Sequence, residues 1–341
     1  MKIILDGMGG DFAPQEPVKG AVAAAAELPN HEIVIVGPVE VIQEELDKCK
    51  FKGDNISIRE ANDVITMEDS PVRAIRRKTD STLVVGLNML KDGQGDMFVS
   101  AGNTGALVVG ARLILGRIRG IDRPTLASIY PDMTGGDPCL LVDAGASSES
   151  KANNLLEYGL MGSIYVEKVW DRPNPKVGLV NLGVEEGKGT SVTKDAFQKL
   201  KASHLNFVGN VEAREVPKHV CDVIVCDGFV GNVILKLTEG VSLSIFKLIK
   251  GALMTNMKSK IGGALIKSQL TALKDEFDYE EYGGAPVLGV NKPVIKMHGS
   301  SSATAVKNAI LRGLPYAEED IVGVIRTEML KIQEFIEEDE D

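Results

Sequence analysis

Ile3-Ile4-Leu5 runs directly into Asp6-Gly7-Met8-Gly9-Gly10-Asp11, an apolar strand delivering the chain into a glycine turn. The same order returns in Met97-Phe98-Val99 before Ser100-Ala101-Gly102-Asn103-Thr104-Gly105, and in Leu140-Leu141-Val142 before Asp143-Ala144-Gly145-Ala146. It returns again in Val177-Gly178-Leu179-Val180 before Asn181–Gly189, and in Val223-Ile224-Val225 before Cys226–Asn232. Strand, glycine turn and helix form the repeating unit of an open α/β sheet, whose ligands bind beyond the carboxyl ends of the strands. Glycine lets the backbone come close to an anion, and a helix start offers unpaired N–H groups. If the five strands are parallel, their turns share one sheet edge and one anion-friendly cleft. The expected fold is a mostly parallel α/β sheet with helices on both faces.

The bulk composition narrows the function. A chain of 341 residues with 44% hydrophobic content suffices for one α/β catalytic domain over 1–341. A formal charge of −10 and 5% aromatics argue against nucleic acid, which needs a basic face and stacking rings. Cys49, Cys139, Cys221 and Cys226 fit neither a redox CxxC nor a zinc knuckle, and read as reduced, inert thiols. His31, His204, His219 and His298 are scattered, so no metal is expected. A strand already begins at residue 2, and no uncharged run reaches the ~18 residues of a spanning helix, so a soluble chain without a signal peptide is expected.

Further along, Arg73, Arg76, Arg77 and Lys78 open a helical stretch over 70–92, with a solvated surface as the plainer reading. Leu126–Tyr130 and Cys139–Val142, joined by Asp132–Pro138, read as a hairpin interrupting the parallel pattern. Residues 232–277 lack proline and repeat apolar residues at helical spacing, from Val233 through Leu237 and Val241 to Ile245. From Asn232 to Lys274 seven lysines face one acid, Glu239, a local +6 in an acidic protein. A basic amphipathic helical pair, broken at Gly262-Gly263, is expected there; it serves as core or dimer helices, as a contact for a membrane or acidic partner, or both. The acidic run 337–341 reads as a frayed tail.

The chemistry has to be found in the turns. Gly187-Lys188 lacks the P-loop frame, which needs glycine where Leu182 stands and Ser or Thr where Gly189 stands. No turn gives GxGxxG, and no GxSxG elbow occurs. His298 beside Ser300–Ser302 offers a hydroxyl–imidazole pair, although serines opening a helix more often cap it. What is left is a site rich in backbone N–H groups, with Lys188, Asn103, Asn232, His298 and several aspartates. Such a site orients an anion and lets the substrate bring its own nucleophile. Lys188 also reads as a solvated loop lysine, and Asn232 as the N-cap of the helix that follows.

Taken together, Asp6–Pro14, Ser100–Ala106, Asn181–Gly189, Asp222–Asn232, Gly283–Val290 and His298–Ser301 closely resemble the bacterial phosphate acyltransferases of phospholipid synthesis. The matching stretches keep the family's order and span nearly the whole chain. At Ser147 the family usually carries asparagine. The resemblance implies a fold related to phosphotransacetylases and to isocitrate and isopropylmalate dehydrogenases, a homodimer, and no metal or nucleotide cofactor. It implies conversion of acyl-acyl carrier protein and inorganic phosphate to acyl phosphate. It implies a cytoplasmic enzyme resting peripherally on the inner face of the membrane, feeding a membrane glycerol-3-phosphate acyltransferase. Lys188 and Asn232 match positions important for catalysis in that family. The candidate phosphate- and acyl-binding residues are Asp6, Gly9, Gly10, Asp11, Gly102, Asn103, Thr104, Gly105, Asp143, Gly187, Asp227, Gly228, Gly231, His298 and Ser300. Phosphate is expected on helix N-termini beside Lys188, with direct attack on the thioester and no acyl-enzyme. Competing readings are a coenzyme-A-dependent phosphotransacylase and a non-enzymatic membrane scaffold.

Overall fold

The computed structural model of the protein describes residues 1–276 and 283–340. The amino-terminal half runs β1 (Lys2–Asp6), α1 (Gln15–Glu27), β2 (Glu32–Gly37), α2 (Val39–Lys48), β3 (Ile56–Glu60), α3 (Pro71–Arg77), α4 (Thr82–Lys91), β4 (Met97–Ser100) and α5 (Thr104–Gly110), the last prolonged by a π-turn through Leu115. The second half continues with β5 (Thr125–Tyr130), β6 (Cys139–Val142), α6 (Ala152–Val169), β7 (Val177–Asn181), α7 (Ser191–Ala202), β8 (Phe207–Glu212), β9 (Val223–Val225) and α8 (Gly228–Leu253). It closes with α9 (Met257–Leu265), α10 (Lys267–Glu276), β10 (Ala285–Leu288), β11 (Val294–Lys296), α11 (Ala303–Glu318) and α12 (Ile321–Glu340).

The strands form one sheet in the order β3-β2-β1-β4-β11-β10-β5-β6-β9-β7-β8. Central strands are apolar on both faces because helices cover both: Ile3, Ile4 and Leu5 are each fully buried, as are Leu140, Leu141 and Val142. Helix α1 is alanine-rich because it lies tightly on α11. A Cβ on Gly20 would stand 2.4 Å from Val306 Cβ.

The pairing is mostly parallel, but the five glycine turns do not share one edge. β10 is antiparallel to both β11 and β5, and β5 is antiparallel to β6. Hence β1, β2, β3, β4 and β11 run one way, and β6, β7, β8 and β9 run the other. The expected hairpin of β5 and β6 is the element that reverses the direction. The two half-sheets nevertheless bring their carboxyl ends together at the seam. Ser100 pairs with Lys296 and Lys296 with Ala285, while Val287 pairs with Leu126 and Ala127 with Val142. The cleft is therefore central and is built from both ends.

The basic segment forms three helices rather than a pair broken at Gly262-Gly263. The break falls at 254–256, where Asn256 caps α9 by accepting from Ser259 N at 2.9 Å. Gly263 lies inside α9, and a Cβ there would be 3.2 Å from Leu253 Cβ. That glycine serves close packing of α9 on the end of α8, not a bend. Phe277, the expected end of the segment, lies outside the described residues. Only Gly228 and Gly231 are buried in the 26 residues of α8. By length and composition α8 suffices to cross a membrane; Lys236, Glu239, Lys247 and Lys250 hid this from a search for uncharged runs. Helix α12 continues through Glu340, past the expected start of a tail at Glu337.

Candidate active site

Where the half-sheets meet, a cleft of about 480 Å³ opens, a size ordinary for a small-molecule site. Its walls come from the start of α5 (Thr104), from β5 (Leu126, Ser128, Tyr130), from the turn after β6 (Ala144, Gly145), and from α8 (Asn232, Lys236, Phe246). Lys296, His298 and Ser300 complete it from β11 and the loop beyond.

Three predicted turns interlock on the amino-terminal side. Asp6 is buried and accepts from Ser100 Oγ at 2.7 Å and from Met8 N at 3.2 Å. Burial pushes its carboxyl up, against the Ser100 hydrogen bond that favours the charge. Gly9 lies against Asp6 and Gly102, and Gly10 against the Gly299 carbonyl. Asp11 is exposed, and its N–H donates to Gly299 O at 2.7 Å. Gly102 N donates to Ser100 Oγ at 3.0 Å. Asn103 caps α5 by accepting from Ala106 N and donates to Thr66 O and Met67 O, so its amide is committed to the fold. Gly105 packs on Pro71 of α3. Only Thr104 of this turn reaches the cleft.

A second cluster forms on the other half-sheet. The buried Asp143 carboxylate accepts from Gly145 N, Ala146 N, Ser147 N and Ser147 Oγ at 2.6–3.0 Å, organising its own turn. Ser147 thus supplies a hydroxyl donor where the resembling family usually has asparagine. The start of α8 is pressed onto this turn: a Cβ on Gly231 would be 1.9 Å from Asp143 O, and one on Gly228 2.2 Å from Ser147 O. Asp227 is the N-cap, accepting from Val230 N at 2.9 Å. Asn232 is therefore inside the helix and not its cap. It stands against Gly145, whose φ of +118° only glycine adopts readily, and no hydrogen bond to its side-chain amide is found among the described residues. That amide is open to solvent or to a ligand.

The helix starts are less open than expected. Asn103 and Asp227 occupy those of α5 and α8, while Ser302 caps α11 and Glu16 accepts from Ala303 N at 2.7 Å. Lys188 and Gly187 lie on the exposed loop after β7 and do not line the cleft. Lys188 N donates to Glu185 O at 3.1 Å, and its ammonium has no ion-pair partner among the described residues. The hydroxyl–imidazole pair exists: His298 Nδ1 and Ser300 Oγ are 2.7 Å apart. Burial and then Lys236 hold the imidazole below its ordinary range. Cys139, Cys221 and Cys226 are buried, and burial pushes their thiols up, which leaves them poor nucleophiles.

Sequence reasoning missed Lys296. It looked like an ordinary residue at the end of a strand, yet it is 6% exposed and forms part of the cleft wall. Its Nζ donates to Ala101 O at 3.4 Å and to Met297 O. Lys236, read only as part of a basic stretch, stands beside it, with Nζ 3.5 Å from His298 Nε2 and 3.5 Å from Glu239. Lysine in the last position of a strand before a His-Gly-Ser loop was the available signal.

Comparison with known proteins agrees with this architecture. Residues 1–322 match the family described as fatty acid synthesis protein. The phosphate acyltransferase of Alkaliphilus oremlandii is 51% identical over 322 residues, covering 94% of this chain and 95% of its own. That of Clostridioides difficile is 47% identical over the full length of both. A phosphotransacetylase structure from Streptococcus pyogenes superposes with a TM-score of 0.62 at 19% identity, covering 94% of each chain, which shows a shared fold. The chain belongs to the fatty acid synthesis protein family, in the company of these phosphate acyltransferases.

Proposed function

We propose that this enzyme transfers a fatty acyl group from acyl-acyl carrier protein to inorganic phosphate, yielding acyl phosphate for phospholipid synthesis. The observation that carries the reading is a single cleft in which the uncommitted amide of Asn232 shares space with Lys296, Lys236 and His298. A phosphate oxygen attacks the thioester carbonyl and forms the new C–O bond. The amide of Asn232 donates to the oxyanion, which collapses as the C–S bond breaks and the thiolate leaves. A free thiol has a pKa of about 8.5, so the leaving group needs little help. Leu126, Ile129, Leu235, Leu243 and Phe246 give the acyl chain an apolar wall. Lys188, at a position important for catalysis in the resembling family, is the second catalytic residue of this reading, although its exposed loop lies outside the lining of the cleft.

The test is purified protein with acyl-acyl carrier protein, with and without inorganic phosphate, trapping the product with hydroxylamine. Phosphate-dependent acyl hydroxamate is expected. Turnover with acyl-coenzyme A alone transfers the reading to a phosphotransacylase, and silence with both leaves a scaffold.

The product is an activated lipid, and the exposed apolar residues of α8–α10, among them Leu248, Met254, Met257 and Leu265, alternate with lysines. We assign these helices to the inner membrane surface, where a glycerol-3-phosphate acyltransferase consumes the product, and α8 to a homodimer. The enzyme is then cytoplasmic and peripheral. Replacing Met254, Met257 and Leu265 by serine should abolish cosedimentation with anionic vesicles at unchanged turnover; unaltered cosedimentation removes the membrane role of these helices.

A further inference from the structure

Lys296 is a buried cation without a carboxylate at ion-pair distance among the described residues, whereas its neighbour Lys236 has one in Glu239. An ammonium has three N–H donors. Two of them are taken by the carbonyls of Ala101 and Met297, and the residue faces the cleft. Beside it stand His298 and Ser300 on the same wall, and Lys236 reaches in from α8 with its Nζ 3.5 Å from His298 Nε2. The charged groups facing Lys296 are Asp6 at the end of β1, Asp11 in the next turn, and Lys236 on α8. Glu239, the acid among the residues lining the cleft, is already paired with Lys236 at 3.5 Å. Asp6 is itself occupied by Ser100. The third N–H of Lys296 is thus a buried donor for which no acceptor is found among the described residues.

We infer that Lys296, with Lys236 and Ser300 at its sides, forms the pocket that holds inorganic phosphate. This assignment rests on the acyl transfer proposed above and relocates the anion from the helix starts, where the chain's own side chains already accept. One phosphate oxygen takes the third N–H of Lys296 and another takes Lys236. A third oxygen is then left toward Asn232, one turn before Lys236 on α8, where the thioester carbonyl is bound.

Burial, the largest influence, holds the Lys296 ammonium down to about 8, with Asp6 and Asp11 opposing it and Lys236 assisting. The ammonium is therefore present below pH 8 and is lost as pH rises through it. Phosphate affinity should fall over the same interval.

The experiment is equilibrium dialysis of radiolabelled inorganic phosphate against the full chain, with no acyl carrier present. Lys296→Met should weaken binding at least tenfold and Lys236→Ala severalfold, with thermal unfolding followed alongside. Lys296→Arg, which cannot lose its proton in this range, should bind with an affinity that no longer falls above pH 8. The exposed Lys236 variant keeps the test valid if the Lys296 variants do not fold. Wild-type affinity in both Lys296→Met and Lys236→Ala overturns the pocket. If phosphate-dependent acyl transfer persists without any Lys296-dependent phosphate binding, the pocket falls and the acyl transfer stands. If phosphate binds through Lys296 but turnover needs none, the pocket stands and the reaction must be reassigned.

Discussion

Asn232→Ala should lower kcat for acyl phosphate formation by about a hundred- to a thousandfold, the usual cost of removing one oxyanion donor. The effect should fall on kcat, because the amide's partner develops its charge only as the carbonyl becomes tetrahedral. The fold should survive. Asn232 is exposed, and the docking of α8 is carried by Gly228, Gly231 and the Asp227 cap. Asn232→Asp should be no better, since an ionised carboxylate offers acceptors only. Steady-state kinetics with thermal unfolding on the same preparations decide it. A kcat within severalfold of wild type would return Asn232 to the status of a surface residue.

Lys188→Ala should depress turnover at least about a hundredfold, in line with loss of a charge that stabilises the transition state. The structure makes this the more exacting prediction. The residue lies on an exposed loop at the end of β7, away from the residues lining the cleft. An exposed lysine with no role would cost nothing when removed, so the two readings differ by two orders of magnitude. A rise in KM for phosphate at constant kcat would put Lys188 in binding; a fall in kcat would put it in the chemical step. Near-normal values for both remove it from the reaction.

Strand identity was legible because strands buried on both faces read as unbroken apolar runs, as in Leu140-Leu141-Val142. Their direction was not, because parallel and antiparallel strands bury the same residues. The β5–β6 hairpin was read as an interruption, but the antiparallel insertion of β10 between β11 and β5 is a matter of pairing that no local pattern records. Asn232, Thr104, His298 and Ser300 were found in the cleft because glycine turns mark strand ends. The same logic over-collected: Asp143, Asn103 and Asp227 bind their own turns, and an Asx side chain beside a glycine looks identical whether it holds a ligand or a backbone N–H. Lys296 was missed for the complementary reason. Its character comes from burial, and one sequence does not show which lysine the fold encloses.

The seam between the half-sheets has a further meaning. β10 meets β5 through only two residue pairs, Val287 with Leu126 and Leu288 with Thr125. On one side of that narrow join sits the wall carrying Lys296 and His298; on the other sits the turn that seats Asn232. In the proposed reaction the gap between nucleophile and electrophile is thus set by main-chain ladder geometry, and the loops decorate a spacing they do not control. Redesigning the enzyme for a bulkier acceptor than phosphate would have to start at those two rungs.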